Sequence, residues 1–330
     1  MTQGTLLLTR SDVERLLDAT SCITAVESAF RARGEGRPSP SGVLGIHLTG
    51  GGLHAKGASL ELGRPYAAVK VNANFPSNPS QRGLPTIQGM LALFDAECGR
   101  VLAIMDSMSI TTLRTAAASA VAAKYLAAND ADSVAIIGCG AQALPHAVAM
   151  AAVRPIGRIM AYDPDAAQAE RFCTAVEAAL GIAAVVAPTL EAATTTCAIV
   201  VTVTPSREAF LGVEHLRRGA FVAAAGADSE QKQEIMPSLM ASAAVIVDDL
   251  EQCATIGDLR HAIANGSMLR GDVRAALGDV IVDPSRGRRS ADESLVFDST
   301  GVAIEDVAAA AIVYERALAD HSGQRVHLDA

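Results

Sequence analysis

The sequence predicts an α/β protein: a doubly wound parallel sheet over the middle of the chain and a second α/β domain assembled from its two ends. Three observations predict it. From Ser133 to Val247, short apolar runs alternate with helical patterns, as parallel strands joined by crossover helices require. A glycine-containing turn, Gly138-Cys139-Gly140-Ala141-Gln142-Ala143, directly follows the first of those runs. A long helical stretch from Thr300 to Asp320 is expected to fold back on the N-terminal part, leaving that domain discontinuous. The expected boundaries are residues 1–127 and 302–330 for one domain and 128–301 for the other.

The elements follow in order. Thr9 to Asp12 reads as a helix start, with Val13, Leu16 and Leu17 on an apolar face. A second helix is expected from Ser21 to Arg33, stopping at Gly34 and Gly36. Gly, Pro and Ser then punctuate Arg37 to Gly57. Strand-like runs come next at Tyr66–Val71, Ile87–Phe94 and Val101–Met105, the last two flanking a hairpin turn at Asp95–Gly99. Ser109–Ala127 is an Ala-rich helix. Beyond it strands are expected at Ser133–Ile137, Arg158–Tyr162, Ile199–Val203, Phe221–Ala225 and Val245–Val247, with helices at Ala141–Ala152 and Asp165–Leu180.

Composition agrees and narrows the function. With 330 residues, two domains are comfortable. Half the residues are hydrophobic but only 3% are aromatic, with no Trp, so the core rests on Ala, Val, Leu and Ile. The net charge of −9 argues against a nucleic-acid partner, which needs clustered Lys and Arg. The densest basic patch, Arg286–Arg289, sits in a Gly/Ser-containing loop. Six scattered cysteines form no CxxC pair and no metal-ligand spacing, so neither a zinc site nor a disulfide framework is expected. The N-terminal apolar run is too short for a signal peptide, and no uncharged apolar stretch reaches the roughly 18 residues of a membrane span. No membrane contact and a cytoplasmic location are expected.

The turn after Ser133–Ile137 carries the strongest local chemistry. Gly138 permits the tight turn, Gly140 lets the backbone approach a pyrophosphate, and Ala143 lets the following helix pack against the strand. The helix start, with Ala141 and Gln142, offers free N–H groups and a positive dipole end to phosphates. Asp163 closes the second strand, where an acid accepts hydrogen bonds from ribose hydroxyls and repels a 2′-phosphate. Cofactor binding by a Rossmann domain follows, with NAD(H) expected over NADP(H). The alternative for Asp163 is a cap for the helix beginning at Asp165.

Charged residues in poor places for charge point to the substrate. Lys70 lies within an apolar strand, Arg114 on an apolar helix, Asp228 just past the strand Phe221–Ala225, and Lys56 in the segment Leu53–Gly57. Two or three cations with one acid suit an anionic, amine-bearing substrate. Taken singly, each is also an ordinary edge-strand Lys, surface Arg or loop residue.

The motifs together resemble the ornithine cyclodeaminase/mu-crystallin family over nearly the whole chain. The resemblance runs through Val69-Lys70, Gly83-Leu-Pro-Thr86-Ile-Gln-Gly89, Leu93-Phe-Asp95 with Gly99, Thr111-Thr-Leu-Arg114-Thr115, Gly138–Gln142, Gly226-Ala-Asp228 with Lys232, and Phe297-Asp-Ser-Thr-Gly301 with Glu305-Asp306. It implies a Rossmann domain plus a second α/β domain that forms a homodimer and carries part of the substrate site. It places Lys70 and Arg114 on the substrate α-carboxylate and Asp228 beside the reacting C–N centre. It also places Thr86, Thr115, Gln142, Thr202, Val203, Thr204, Lys232 and Gly301 at or near the cofactor.

The family's chemistries are cyclodeamination of ornithine or lysine with recycled NAD, reduction of imines, and amino-acid dehydrogenation; mu-crystallin itself is an NADPH-dependent binding protein. The sequence departs from the cyclodeaminases at His54-Ala55-Lys56-Gly57, where they carry a carboxylate for the distal ammonium. A cation there repels an ammonium and welcomes a carboxylate. The segment Arg37-Pro38-Ser39-Pro40-Ser41 also lacks the family's Pro-x-Arg, leaving that arginine missing or displaced to Arg37. An NAD(H)-dependent imine reductase or amino-acid dehydrogenase is the expectation. An ornithine or lysine cyclodeaminase and a non-catalytic small-ligand binder are the alternatives.

Overall fold

The computed structural model describes residues 4–37 and 39–328, so Pro38 of the Arg37–Ser41 segment lies outside the described residues. The chain divides into two compact units, Met1–Arg114 with Val302–Ala330, and Thr115–Gly301.

The first unit opens with strand β1 (Thr5–Leu8) and helices α1 (Arg10–Leu16) and α2 (Ala19–Gly34). The Thr9 hydroxyl accepts the Asp12 N–H at 3.3 Å while the Asp12 carboxylate accepts the Thr9 N–H at 3.0 Å. This reciprocal cap fixes the start of α1. Strands β2 (Ser41–Leu48), β3 (Gly51–Glu61) and β4 (Pro65–Asn74) follow, then the short helix α3 (Asn78–Arg82), β5 (Ile87–Asp95) and β6 (Val101–Asp106). Helix α4 (Ser107–Leu126) belongs to the first unit through Arg114 and to the second from Thr115.

Strands β2 and β3 occupy a stretch whose glycines and prolines read as punctuation. Gly50, at φ +82°, turns β2 into β3, but Gly51 marks a close backbone approach: a Cβ there would lie 2.4 Å from the Asn74 carbonyl oxygen. Lys56 therefore sits inside a strand of 11 residues, not in a loop.

The second unit continues with β7 (Ser133–Ile137), α5 (Ala143–Val153), β8 (Arg158–Tyr162), α6 (Ala166–Leu180), β9 (Ala183–Val186), α7 (Leu190–Thr194) and β10 (Ile199–Thr202). It then adds β11 (Phe221–Ala224), α8 (Pro237–Ser242), β12 (Ala244–Val247), α9 (Leu250–Ile256), α10 (Asp258–Ala264), β13 (Ala275–Ala276), α11 (Leu277–Val282) and β14 (Leu295–Asp298). Its eight strands are parallel in the order β13-β12-β14-β11-β10-β7-β8-β9. The apolar strands β7, β10, β11, β12 and β14 are buried end to end, as expected of a sheet covered on both faces. From β7 the chain winds outward to β8 and β9, then returns to β10 on the other side. The strand order thus reverses between β7 and β10, and the crevice at their carboxyl ends is where ligands of doubly wound sheets bind.

The chain completes the first unit with α12 (Ala303–Ala319) and β15 (Gln324–Val326). The first unit's sheet has the order β15-β1-β6-β5-β4-β3-β2, antiparallel except for β1 beside β6. Helix α12 packs on α2 and lies over β3, β4 and β5. Alternate β4 residues face it: the Tyr66 hydroxyl reaches Glu315, and Lys70 reaches Asp306. From Tyr66 to Lys70 the strand advances about 13 Å, and from Asp306 to Glu315 the helix advances about 13 Å in the opposite sense. The equal rises let both polar contacts form at once. On the other face of the sheet, Leu44, Ile46, Leu48, Val69 and Met90 are exposed together.

Candidate active site

In the first unit three cations converge on two carboxylates. Lys70 Nζ donates to Asp306 Oδ1 at 2.8 Å, and Arg114 Nε donates to the same oxygen at 3.1 Å. Arg114 Nη1 donates to Glu305 Oε2 at 3.0 Å, while Glu305 Oε1 accepts the Val302 N–H at 3.1 Å and caps α12. All four side chains are buried. Lys56 pairs with Lys70 across β3 and β4, so the two lysines project from one face of the sheet. Burial pushes the Lys70 ammonium down to about 8; Asp306 opposes that shift, while Arg114 and Lys56 add to it. Burial acts to raise Asp306, yet Lys70 and Arg114 hold it below the ordinary carboxylate range.

Lys70 and Arg114 balance Glu305 and Asp306 in the interior, and the partly buried Lys56 beside them adds a positive field that suits an anion. Arg37, the residue available to replace the family's loop arginine, instead pairs with Glu35 at 2.6 Å on the surface. Thr86 lies in the loop before β5, where its carbonyl accepts the Phe75 N–H at 2.8 Å.

Glu305 and Asp306 stand in the sequence as a motif without a role. The signal that finds them is electrostatic: two buried cations demand buried anions, and this carboxylate pair opens a helix that is apolar from Val307 to Val313.

In the second unit the G-x-G-x-x-A turn lies at the carboxyl end of β7. Gly138 has φ +91°, and a Cβ there would meet Thr204 Cγ2 at 2.8 Å and the Val203 carbonyl oxygen at 2.9 Å. Glycine is required on both counts. Gly140 has no heavy atom within 4 Å of its Cβ position, and Ala141 beside it is exposed. Gln142, the residue preceding α5, makes no side-chain cap, so its own side chain does not occupy the N-terminal N–H groups of the helix. These features fit a dinucleotide pyrophosphate.

Asp163 accepts the Cys139 N–H at 2.8 Å on one oxygen and the Asp165 N–H at 2.9 Å on the other. The N-cap of α6 is Asp165, so Asp163 braces the glycine turn instead of capping the helix.

Past β10, Thr202 is fully enclosed and its hydroxyl donates to Glu234 at 2.7 Å; the outer part of this loop is Val203 and Thr204. Past β11, Asp228 is exposed and accepts from Lys232 at 2.7 Å. Past β14, the Gly301 N–H donates to Asp248 at 2.7 Å, and its carbonyl accepts from Gln252 at 3.1 Å. Thr115 is the first residue of this unit, on α4. Among the described residues no helix is long and apolar enough to cross a membrane. Nor does any group of three or more His, Cys, Asp or Glu side chains stand where it would hold a metal ion.

A model of the ornithine cyclodeaminase/mu-crystallin family matches residues 3–321. The alanine dehydrogenase of Archaeoglobus fulgidus is 39% identical over 322 residues, covering 98% of each chain. Two solved structures are similar over almost their whole length. One is an archaeal alanine dehydrogenase dimer with bound NAD, with a TM-score of 0.93 and 38% identity over 98% of this chain and 99% of that one. The other is the Δ1-pyrroline-2-carboxylate reductase of Thermococcus litoralis in complex with NADH and L-proline, with a TM-score of 0.92 and 30% identity over 98% and 100%.

Proposed function

Because the chain belongs to the ornithine cyclodeaminase/mu-crystallin family, we propose that it is an NAD(H)-dependent oxidoreductase acting on the C–N bond of a small α-amino acid or its imine. The observation that carries the reading is the meeting of Lys70 and Arg114 on the buried carboxylate of Asp306. Two cations so fixed present a ready site for an α-carboxylate, with the arginine offering a planar fork. Asp228, held by Lys232, orients the substrate nitrogen or relays its proton. The bound dinucleotide supplies or accepts hydride. Val203, Thr204, Thr86, Thr115, Gln142, Lys232 and Gly301 complete the cofactor contacts, and Thr202 serves through the loop that it begins.

Lys56 sets the side-chain preference. Standing opposite Lys70, it disfavours a substrate with a distal ammonium and so weighs against cyclodeamination. The exposed apolar face of β2 to β5 supports a homodimer, since a patch of this kind is normally covered. The six free cysteines suit the cytoplasm.

Nicotinamide absorbance during turnover tests the reading. Stoichiometric loss of NADH with a cyclic imino acid, or with a 2-oxo acid plus ammonia, is expected. Proline and ammonia formed from L-ornithine with no net change in NADH would make the chain a cyclodeaminase. NADH binding without turnover on any of these would make it a binding protein.

A further inference from the structure

At the carboxyl ends of β10 and β11 one buried carboxylate gathers donors from two loops. Glu234 Oε2 accepts the Thr202 hydroxyl at 2.7 Å and the Gly226 N–H at 2.9 Å, and Oε1 accepts the Thr204 N–H at 2.6 Å. Glu234 is wholly enclosed. Burial pushes its carboxyl up, and the donors from Thr202, Thr204 and Gly226 pull it back. The fit is close: a Cβ on Gly226 would lie 2.3 Å from Oε1.

The arrangement fixes more than two N–H groups. A trans peptide points its carbonyl away from its N–H, so drawing the Thr204 N–H inward turns the Val203 carbonyl the other way. That carbonyl is the one packed against Gly138. The Gly226 end of the second loop leads directly to Asp228. Glu234 is itself anchored, because its N–H and that of Ile235 donate to Asp258 Oδ1 at 2.8 and 2.9 Å. Asp258 and Leu259 in turn donate their N–H groups to Asp298 at 3.3 and 2.8 Å. A ladder of carboxylates thus runs beneath the rim of the sheet, each rung holding backbone and none exposed.

We propose that Glu234 is a positioning residue for the dinucleotide: it locks the Val203–Thr204 and Gly226–Asp228 loops into one body against the Gly138 turn. Cofactor affinity then depends on a side chain that is itself shut off from the cofactor. The proposal rests on the reading of the chain as NAD(H)-dependent. An apolar residue of similar volume would fill the same space but leave the two N–H groups unpaired and the loops free to turn.

The test uses Glu234→Gln and Gly226→Ala in the full-length protein. The first removes an acceptor; the second keeps Glu234 and displaces it. NADH affinity is read by nicotinamide fluorescence, and the KM for the carbon substrate from initial rates. Both variants should weaken NADH binding by about tenfold, the equivalent of one lost charge-assisted hydrogen bond, and leave the carbon-substrate KM within about twofold. That split is expected because Lys70, Arg114 and Asp306, which hold the substrate carboxylate, belong to the other unit, whereas a displaced Asp228 lowers kcat. A purely structural Glu234 would lower the folded fraction and leave both constants of the surviving enzyme unchanged, which would overturn the proposal. A wild-type protein that fails to bind NADH would overturn the functional reading and this proposal with it.

Discussion

Asp306 Oδ1 accepts from Lys70 Nζ at 2.8 Å and from Arg114 Nε at 3.1 Å, and Oδ2 also lies 2.8 Å from Lys70 Nζ, so one buried carboxylate sets the spacing of two cations. The carboxylate also favours the charged form of Lys70 against the effect of burial. Lys70 is cationic below about 8 and neutral above it, so kcat/KM for an anionic substrate should fall as pH rises through that value. Asp306→Asn removes the opposing charge, and the alkaline limb should move to lower pH. Breaking a buried pair from one side should also cost roughly 3–5 kcal/mol of stability, read as a lower Tm. An alkaline limb that stays in place would show that Lys70 is not the group being titrated.

Arg114 engages Glu305 and Asp306 through different nitrogens. A lysine carries the charge but not the fork. Arg114→Lys should therefore lower kcat/KM for the imine or oxo acid by about a hundredfold while NADH affinity changes by less than about twofold. Steady-state kinetics and a fluorescence titration on the same preparation check both halves. Retained turnover would remove Arg114 from the carboxylate site.

The contrast between Lys56 and Lys70 marks how far the sequence could be read. The second unit's strands were legible because each is a short apolar run with its own turn signal; Ser133–Ile137 and Arg158–Tyr162 match residue for residue. Lys70 was legible as a charge in an apolar strand. Lys56 was not placed, because the glycines around it read as turns until β2 and β4 are laid on either side. Asp306 lies 236 residues from Lys70, and no local pattern ties the two. Glu234 is hidden for the same reason: its meaning lies in two loops that only the parallel sheet brings to one rim. Local periodicity reports elements, whereas pairing of buried charges is decided by topology.

Lys56 should act on the same titration with the opposite sign. It depresses Lys70 across the strand pair. Lys56→Glu replaces a repelling charge with an attracting one, so the alkaline limb should move to higher pH. The same change should favour a distal ammonium. The ratio of kcat/KM for L-ornithine to that for L-alanine should rise by about tenfold or more, as expected when a like charge is replaced by an opposite one near the site. Competition assays with the two amino acids measure that ratio directly, and an unchanged ratio would place Lys56 outside the side-chain pocket.

The acid ladder of the second unit gives a stability prediction with a definite sign. Burial raises Asp298 from 3.8 to about 7; the Leu259 and Asp258 N–H groups pull it down, while Asp248 and Glu234 push it up. Asp258 beside it is raised well above its ordinary value, chiefly by burial and then by Asp298 and Glu234. The folded state therefore holds a proton on Asp298 that the unfolded chain releases at lower pH. Stability from this group is present below about 4 and is lost as pH rises toward about 7, beyond which it changes no further. Calorimetric Tm should decline across that window. Asp298→Asn should flatten the decline, since an amide does not titrate, at the constant cost of one of the two N–H acceptors. A slope as steep in the variant as in the wild type would assign the titration to another group.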